Sequence, residues 1–345
     1  MTDENLNKKD SNNEERLDFV GIGDAVTDTF IELMDAWIET DNPEQKQELC
    51  MRFGDKIPYS KEVTIKGTGN ALNATNAANM LGLKTGIITD IGGDENGQAI
   101  IDSFNKKGID TTHITKHPET ETNHNFILRF KAERTILVQH YEYDYSFPEY
   151  PEGQAPKWFY LSSLSNNSIP HHHTIANFLK KHPETKLAFQ PGTFQIKLGA
   201  EELADLYRVT EIFFCNKEEA QRILKTKEVN MKELLKKMRN LGPKIVAISD
   251  GPRGAYVFNG EEFWHGPMYP DPVPPVDRTG AGDSFSATFT VAIAKGKSIE
   301  EALMWGPINS MSVVQYIGAQ EGHLTEEQLL KYLDERPEDY KPNKF

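Results

Sequence analysis

Basic charge, cysteine and long apolar runs are all scarce in this chain. Across 345 residues, 38 Lys and Arg stand against 52 Asp and Glu, a formal net charge of -14, so neither nucleic acid nor an anionic membrane suits it as principal partner. Cysteine is limited to Cys50 and Cys215, far apart and in no metal-ligand or redox spacing, which excludes a disulfide framework and suits a reducing compartment. No apolar run approaches the ~18 residues of a membrane span, and the polar stretch up to Arg16 lacks the apolar core of a secretory leader. The expectation is a soluble, cytoplasmic protein that acts on small molecules. Residues 1–16, rich in Asn, Asp, Glu and Lys, read as a disordered tail ahead of one domain over 17–345.

Short apolar runs alternate with helical patterns along that domain. Leu17–Gly23, Lys84–Gly92, Trp158–Leu161, Lys186–Phe189, Ile212–Phe214 and Lys244–Ser249 read as strands. Helices are expected over Ala71–Leu81, Glu95–Lys107, His171–Lys181, Lys217–Leu224, Met231–Leu241, Ala281–Lys295, Ile299–Tyr316 and Glu326–Leu333. Repeated strand-helix units predict an α/β fold with a mostly parallel sheet, helices on both faces and a ligand site at the carboxyl ends of the strands. Two segments break the alternation. Phe30–Lys66 is polar, with a helix expected at Pro43–Phe53, and Asn125–Tyr145 alternates like a hairpin about Lys131–Arg134. Both read as a second layer over the sheet.

The run from Asp277 to Asp283, Asp-Arg-Thr-Gly-Ala-Gly-Asp, combines a flexible turn, a helix start and a carboxylate. Its glycines leave the amides uncovered, and amides at a helix N-terminus attract phosphate. Asp283 in the first turn is placed to take a proton from a hydroxyl; a plain helix cap would show the same letters. A second glycine-rich run, Gly67–Asn73, sets Asn70 and Asn73 at a helix start, where amides suit vicinal hydroxyls or serve as caps. Asp24 and Asp28 follow the first strand. Asn216 and Glu219 share the face of a first helical turn, which fits either a Mg²⁺ site with retained waters or a capping box. The turn Ser249–Gly254 could wrap nucleotide phosphates. Gly92–Gly97 lacks the Lys-Ser/Thr of a P-loop, and Gly21–Val26 lacks the third glycine of a dinucleotide loop. The adjacent His171, His172 and His173 cannot converge on one ion.

Taken in order, these motifs resemble the ribokinase, or PfkB, family of carbohydrate and nucleoside kinases. Thr68–Asn73 with Leu81-Gly82 looks like its first signature and Asp277–Asp283 like its second; Gly92–Asp94 with Gly97, Asn216–Glu219 and the turn before Gly254 are also similar. The resemblance implies a three-layer α/β/α fold with a β-rich lid over about 30–66 and 125–147, through which many members dimerise. It implies Asp283 as general base and the Gly280-Ala281-Gly282 amides as an anion hole. Asp28, Gly69, Asn70 and Asn73 would hold the acceptor. Asn216, Gly251, Gly254, Asn309 and Gly318 would hold ATP, with Asn216 and Glu219 orienting Mg²⁺ through water. Some members require a monovalent cation such as K⁺, which Asp277 and Thr279 could serve. Thr68 replaces the usual first glycine of the sugar loop, and Gln190-Pro191 replaces the common Asn/Asp-Pro start.

The expected activity is ATP-dependent phosphorylation of a sugar hydroxymethyl group. A nucleoside acceptor is the alternative, because Tyr141, Tyr143, Tyr145 and Phe147 could stack on a base, although a hairpin face would look the same. A phosphorylated sugar could use Arg129, Lys131 or Arg134. The reading from another class is a sensor without catalysis on the same scaffold.

Overall fold

The computed structural model describes residues 16–40, 47–131 and 133–345. Among them, ten strands form one sheet in the order β16 (Asn343–Lys344), β15 (Phe263–Gly266), β14 (Ala255–Phe258), β13 (Ile245–Ser249), β12 (Ile212–Asn216), β11 (Lys186–Phe189), β10 (Trp158–Leu161), β1 (Phe19–Ile22), β6 (Thr85–Gly92) and β7 (Asp110–His117). Every pairing from β13 to β7 is parallel, and β14 to β16 extend the sheet antiparallel. Alternate residues of the central strands feed opposite faces. Ile212 and Phe214 enter one core while Phe213 and Cys215 enter the other, and burial on both sides is what turns these strands into unbroken apolar runs.

The helices are α1 (Asn70–Met80), α2 (Glu95–Lys106), α3 (Ile169–Lys181), α4 (Thr193–Leu198), α5 (Ala204–Val209), α6 (Lys217–Ile223), α7 (Met231–Arg239), α8 (Ala281–Ala294), α9 (Ile299–Val313) and α10 (Glu326–Asp334). One face of the sheet is covered by α1, α8, α9 and α10, the other by α3, α5, α6 and α7. Helix α1 presents Ala74, Ala77 and Ala78 inward; such small side chains let its axis lie close to the sheet. Its neighbour α2 closes a third cluster, where Ile100 and Phe104 meet Leu72 and Ile91.

A four-stranded sheet, in the order β5 (Tyr59–Thr68), β2 (Val26–Leu33), β8 (His124–Phe130) and β9 (Glu133–Gln139), forms the lid; β3 (Trp37–Glu39) and β4 (Glu48–Cys50) pair apart from it. Its register fixes one inner face, because Asp28 lies beside Asn125, Asn125 beside Val138, Ile127 beside Ile136 and Arg129 beside Arg134.

Several expectations are corrected. Glu48–Cys50 is strand rather than part of the helix expected over Pro43–Phe53, and residues 43–46 of that expected helix lie outside the described residues. Arg16 is not part of a free tail: it donates to Pro156 O at 3.1 Å, while residues 1–15 lie outside the described residues. The lid hairpin stops at Gln139, and the segment after it runs down the body, with Tyr143 fully buried.

Candidate active site

The carboxyl ends of β1, β11, β12 and β13 open onto one cleft of about 650 Å³ beneath the lid. Helix α8 points its N-terminus into it. Gly280 caps that helix with φ 81°, a left-handed backbone that favours glycine, and a Cβ there would meet Ala319 Cβ at 2.4 Å. The amides of Ala281, Gly282 and Asp283 occupy the first turn, where no intrahelical acceptor reaches them.

Asp283 is 5% exposed and receives three side-chain amides. Asn70 Nδ2 donates to Oδ1 at 2.8 Å, Asn73 Nδ2 to Oδ2 at 2.9 Å and Gln190 Nε2 to Oδ1 at 3.1 Å. Burial pushes its pKa up to about 6, and the amides hold it from rising further. A carboxylate poised there is ionised at neutral pH and basic enough to accept a proton. Gln190 is itself oriented: Ser286 Oγ donates to its Oε1 at 2.6 Å, and Tyr160 OH donates to the same oxygen.

The two expected asparagines thus converge on the expected base across more than 200 residues of sequence. Asn70 opens α1 behind Gly69, whose φ is 112° and whose Cβ would lie 2.3 Å from Asp24 O. Asp28 lies on the lid's inner face, accepts from Asn125 Nδ2 at 3.0 Å and lines the cleft; burial raises its pKa. Asn216 and Glu219 form a reciprocal cap, with Glu219 N donating to Asn216 Oδ1 at 2.8 Å and Asn216 N to Glu219 Oε2 at 2.9 Å. Both also line the cleft, so the cap and the site coincide. Burial raises the Glu219 pKa, and no cation pairs with it among the described residues.

A second cavity of about 380 Å³ adjoins the first through Gly282 and Arg278. Gly251 and Gly254 line it as expected, with Pro307, Ser310 and Val314 opposite. Asn309 and Gly318 do not line either cavity. Asn309 is fully buried, its Nδ2 donating to Thr288 Oγ1 at 2.8 Å and its Oδ1 accepting from Leu324 N at 3.0 Å; the helical turn directs it away from the cavity that Ser310 faces. Gly318 N donates to Asp277 Oδ2 at 3.1 Å. Thr279 donates to Asp277 Oδ1 through N at 3.0 Å and Oγ1 at 2.8 Å. Protein donors therefore meet both oxygens of Asp277.

The sequence offered Arg134 as one of three candidate phosphate partners and gave no role to His140, Lys197 or Arg278, yet all four line the main cleft. Arg129 is spent elsewhere, on Glu32 at 3.1 Å and Val276 O at 3.0 Å, and Lys131 lies in the exposed hairpin turn at φ 57°. The aromatic segment offers no stacking face to the cleft. Tyr141 OH donates to Glu121 Oε2 at 2.7 Å, Tyr145 OH to Asp24 Oδ1 at 2.7 Å, and Phe147 packs on Phe159 and Phe178. Two of the three adjacent histidines are core as well: His171 and His172 are buried, with pKa values lowered to about 4 by desolvation, while His173 is exposed beside Glu202.

Known proteins are similar along most of the chain. Fructoselysine 6-kinase of Escherichia coli (strain K12) is 28% identical over 262 residues, spanning 73% of this chain and 90% of that protein. The ribokinase of Bacillus subtilis (strain 168) is 27% identical over 289 residues, spanning 81% and 94%. The solved structure of Arabidopsis thaliana ribokinase complexed with ribose and ATP superposes with a TM-score of 0.74 at 20% identity, covering 92% of this chain and 99% of that one. Residues 31–326 match the pfkB family carbohydrate kinase profile, and the chain belongs to that family of phosphotransferases.

Proposed function

We propose that this kinase moves the γ-phosphoryl group of ATP onto a hydroxymethyl group of a sugar, with Asp283 as general base. The observation that carries the reading is the buried Asp283 carboxylate, held by three amides at the N-terminus of α8. The acceptor oxygen forms its bond to the γ-phosphorus as the bond from that phosphorus to the β,γ-bridging oxygen breaks. ADP leaves, and the hydroxyl proton passes to Asp283. Asn70 and Asn73 fix the carboxylate, while the Ala281 and Gly282 amides and the helix dipole stabilise the charge on the transferring group. The cavity beside Gly251 and Gly254 receives the nucleotide. Asn216 and Glu219, as hard oxygen donors, would hold Mg²⁺ through water, and no fuller cluster of His, Cys, Asp or Glu exists among the described residues. Bound Mg²⁺ neutralises phosphate charge.

The lid's inner face favours one refinement, an acceptor that carries an anionic group such as phosphate. Arg134 Nε is buried without a partner, and Arg134, His140 and Lys197 face the cleft. Asp28 and Asn125 grip hydroxyls nearby. On the lid's other face Phe126 and Leu137 are 38% and 50% exposed, a surface suited to pairing two copies of the chain; light scattering measures this.

The test is Mg²⁺-dependent ADP release with free sugars, sugar phosphates and nucleosides, with Asp283→Asn as control. Turnover on a sugar or sugar phosphate that the variant loses supports the reading. Turnover on nucleosides alone, or an Asp283→Asn variant of ordinary activity, overturns it.

A further inference from the structure

A third cavity, of about 870 Å³, lies outside the active site at the root of the lid. Strand β5 forms one wall, α1 and the end of α2 another, and the 316–323 turn the third. Lys61 and Lys66 approach from the lid strand, Lys106 and Lys107 from the body. These four ammonium groups have no carboxylate within ion-pair distance among the described residues, although Asp102 and Glu321 share the rim. In a chain of net charge -14, four lysines against the two carboxylates of Asp102 and Glu321 along one cavity are a local reversal of sign, which favours an anion seated there.

The wall also holds an unspent donor. His323 is 5% exposed, and its Nδ1 accepts from Asn76 Nδ2 at 2.7 Å. That bond places the ring proton on Nε2, which is buried without an acceptor. Beside it, Lys107 Nζ donates to Gln320 Oε1 at 2.7 Å; Gln320 Nε2 donates to Gly67 O at 2.7 Å and to Asn73 Oδ1 at 3.1 Å; Asn73 Nδ2 donates to Asp283 Oδ2 at 2.9 Å. One unbroken line of hydrogen bonds runs from the lysine cavity to the carboxylate of the active site.

We propose that this cavity binds a small molecule carrying two or more phosphate charges, clamps the lid strand to the body, and adjusts the active-site carboxylate through Gln320. An anion that draws Lys107 off Gln320 frees the amide that orients Asn73, and Asn73 then donates less well to Asp283. The binding half stands by itself; the effect on turnover rests on the kinase reading above. Gln320 is a positioning residue.

The test titrates pyrophosphate, and separately fructose 1,6-bisphosphate, into the full-length chain by calorimetry, with a non-hydrolysable ATP analogue saturating the nucleotide cavity. We expect binding that weakens at least ~10-fold in Lys66→Gln/Lys106→Gln, two exposed positions whose change leaves basal turnover and melting temperature intact; each lost ion contact of about 1.4 kcal/mol gives that factor. We further expect occupancy to move the acid limb of the kcat–pH profile upward, and Gln320→Leu to keep binding while losing this movement. Tighter binding of the bisphosphate assigns a metabolite, and equal binding a bare polyanion. Absence of binding, or binding that the lysine variant retains, overturns the site whatever the turnover assay gives. Binding with an unmoved profile overturns the coupling.

Discussion

At the proposed phosphoryl end of the cleft, both oxygens of Asp283 receive side-chain amides, whereas on the lid side Asn125 Oδ1, Arg134 Nε and His140 Nδ1 are buried with no hydrogen-bond partner. The first set is complete before any ligand arrives. It sits on α1, α8 and the end of β11, all braced by the main core, so little reorganisation is needed during transfer. The second set leaves donors and acceptors unmet, at about 1–3 kcal/mol each. A ligand that satisfies them recovers that free energy as affinity. On the proposed reading, chemistry is built into the body and selectivity into the lid, a division that lets one frame serve different acceptors.

The largest effect expected from breaking the finished end is on Asp283. Asp283→Asn removes the base and sets an NH₂ group among amide donors, so kcat falls by ~10²–10⁴ with nucleotide affinity little changed. In the parent enzyme, a base with its pKa raised to about 6 is ionised above that value, so kcat is level at neutral pH and falls tenfold per unit below about pH 6. That limb disappears in the variant. A retained limb assigns the ionisation to another group.

Gly280→Ala attacks the same end through the backbone. A Cβ at φ 81° meets Ala319 at 2.4 Å; strain and overpacking cost ~1–3 kcal/mol each, and a shift of ~1 Å in the amides lowers kcat about 10²-fold. Thermal melts and single-turnover rates separate the two losses. A variant that melts lower but turns over normally shows that the loop relaxes without disturbing the anion hole.

Arg134→Gln probes the unfinished end and sharpens the contrast, because it changes binding rather than chemistry. For a phosphorylated acceptor KM rises ~10–100-fold, the worth of a charged hydrogen bond of about 1.5–3 kcal/mol, while kcat holds. For a neutral sugar both constants stay put. Equal losses on the two substrate types would return Arg134 to a structural role.

The same division governs what could be read from sequence. The central parallel strands were legible because they carry short apolar runs bounded by charged or small residues, as at Phe19–Ile22 and Trp158–Leu161. The edge strand at Asp110–His117 was not, since one side of it has no neighbouring strand among the described residues and its residues stay largely half-buried and polar. At the finished end the motifs named Asp283, Asn70 and Asn73, but the resemblance rather than spacing brought them together. Asn309 shows where such transfer stops, because a helix residue one position out of phase faces the core instead of the ligand. At the lid end Arg129 and Arg134 are cross-strand neighbours on one face. Which of them Glu32 neutralises depends on where the facing strand ends, and no local pattern encodes that.

Gln190→Leu gives the smallest effect and the finest test of the finished end. Gln190 Nε2 is one of three donors on Asp283 and touches only the ionised form productively. Asn70 and Asn73 still fix the carboxylate without it, so kcat at pH 8 drops no more than a few-fold. A donor that lowers the Asp283 pKa is lost, however, and the acid limb moves upward by about one unit, the equivalent of one hydrogen bond to a charge. Near pH 6 the variant is then the slower enzyme by a wider margin than at pH 8. An unshifted limb with uniformly lower kcat would mean that Gln190 acts through Tyr160 and Ser286, by packing the floor of the cleft, and that the two asparagines alone set the charge on the base.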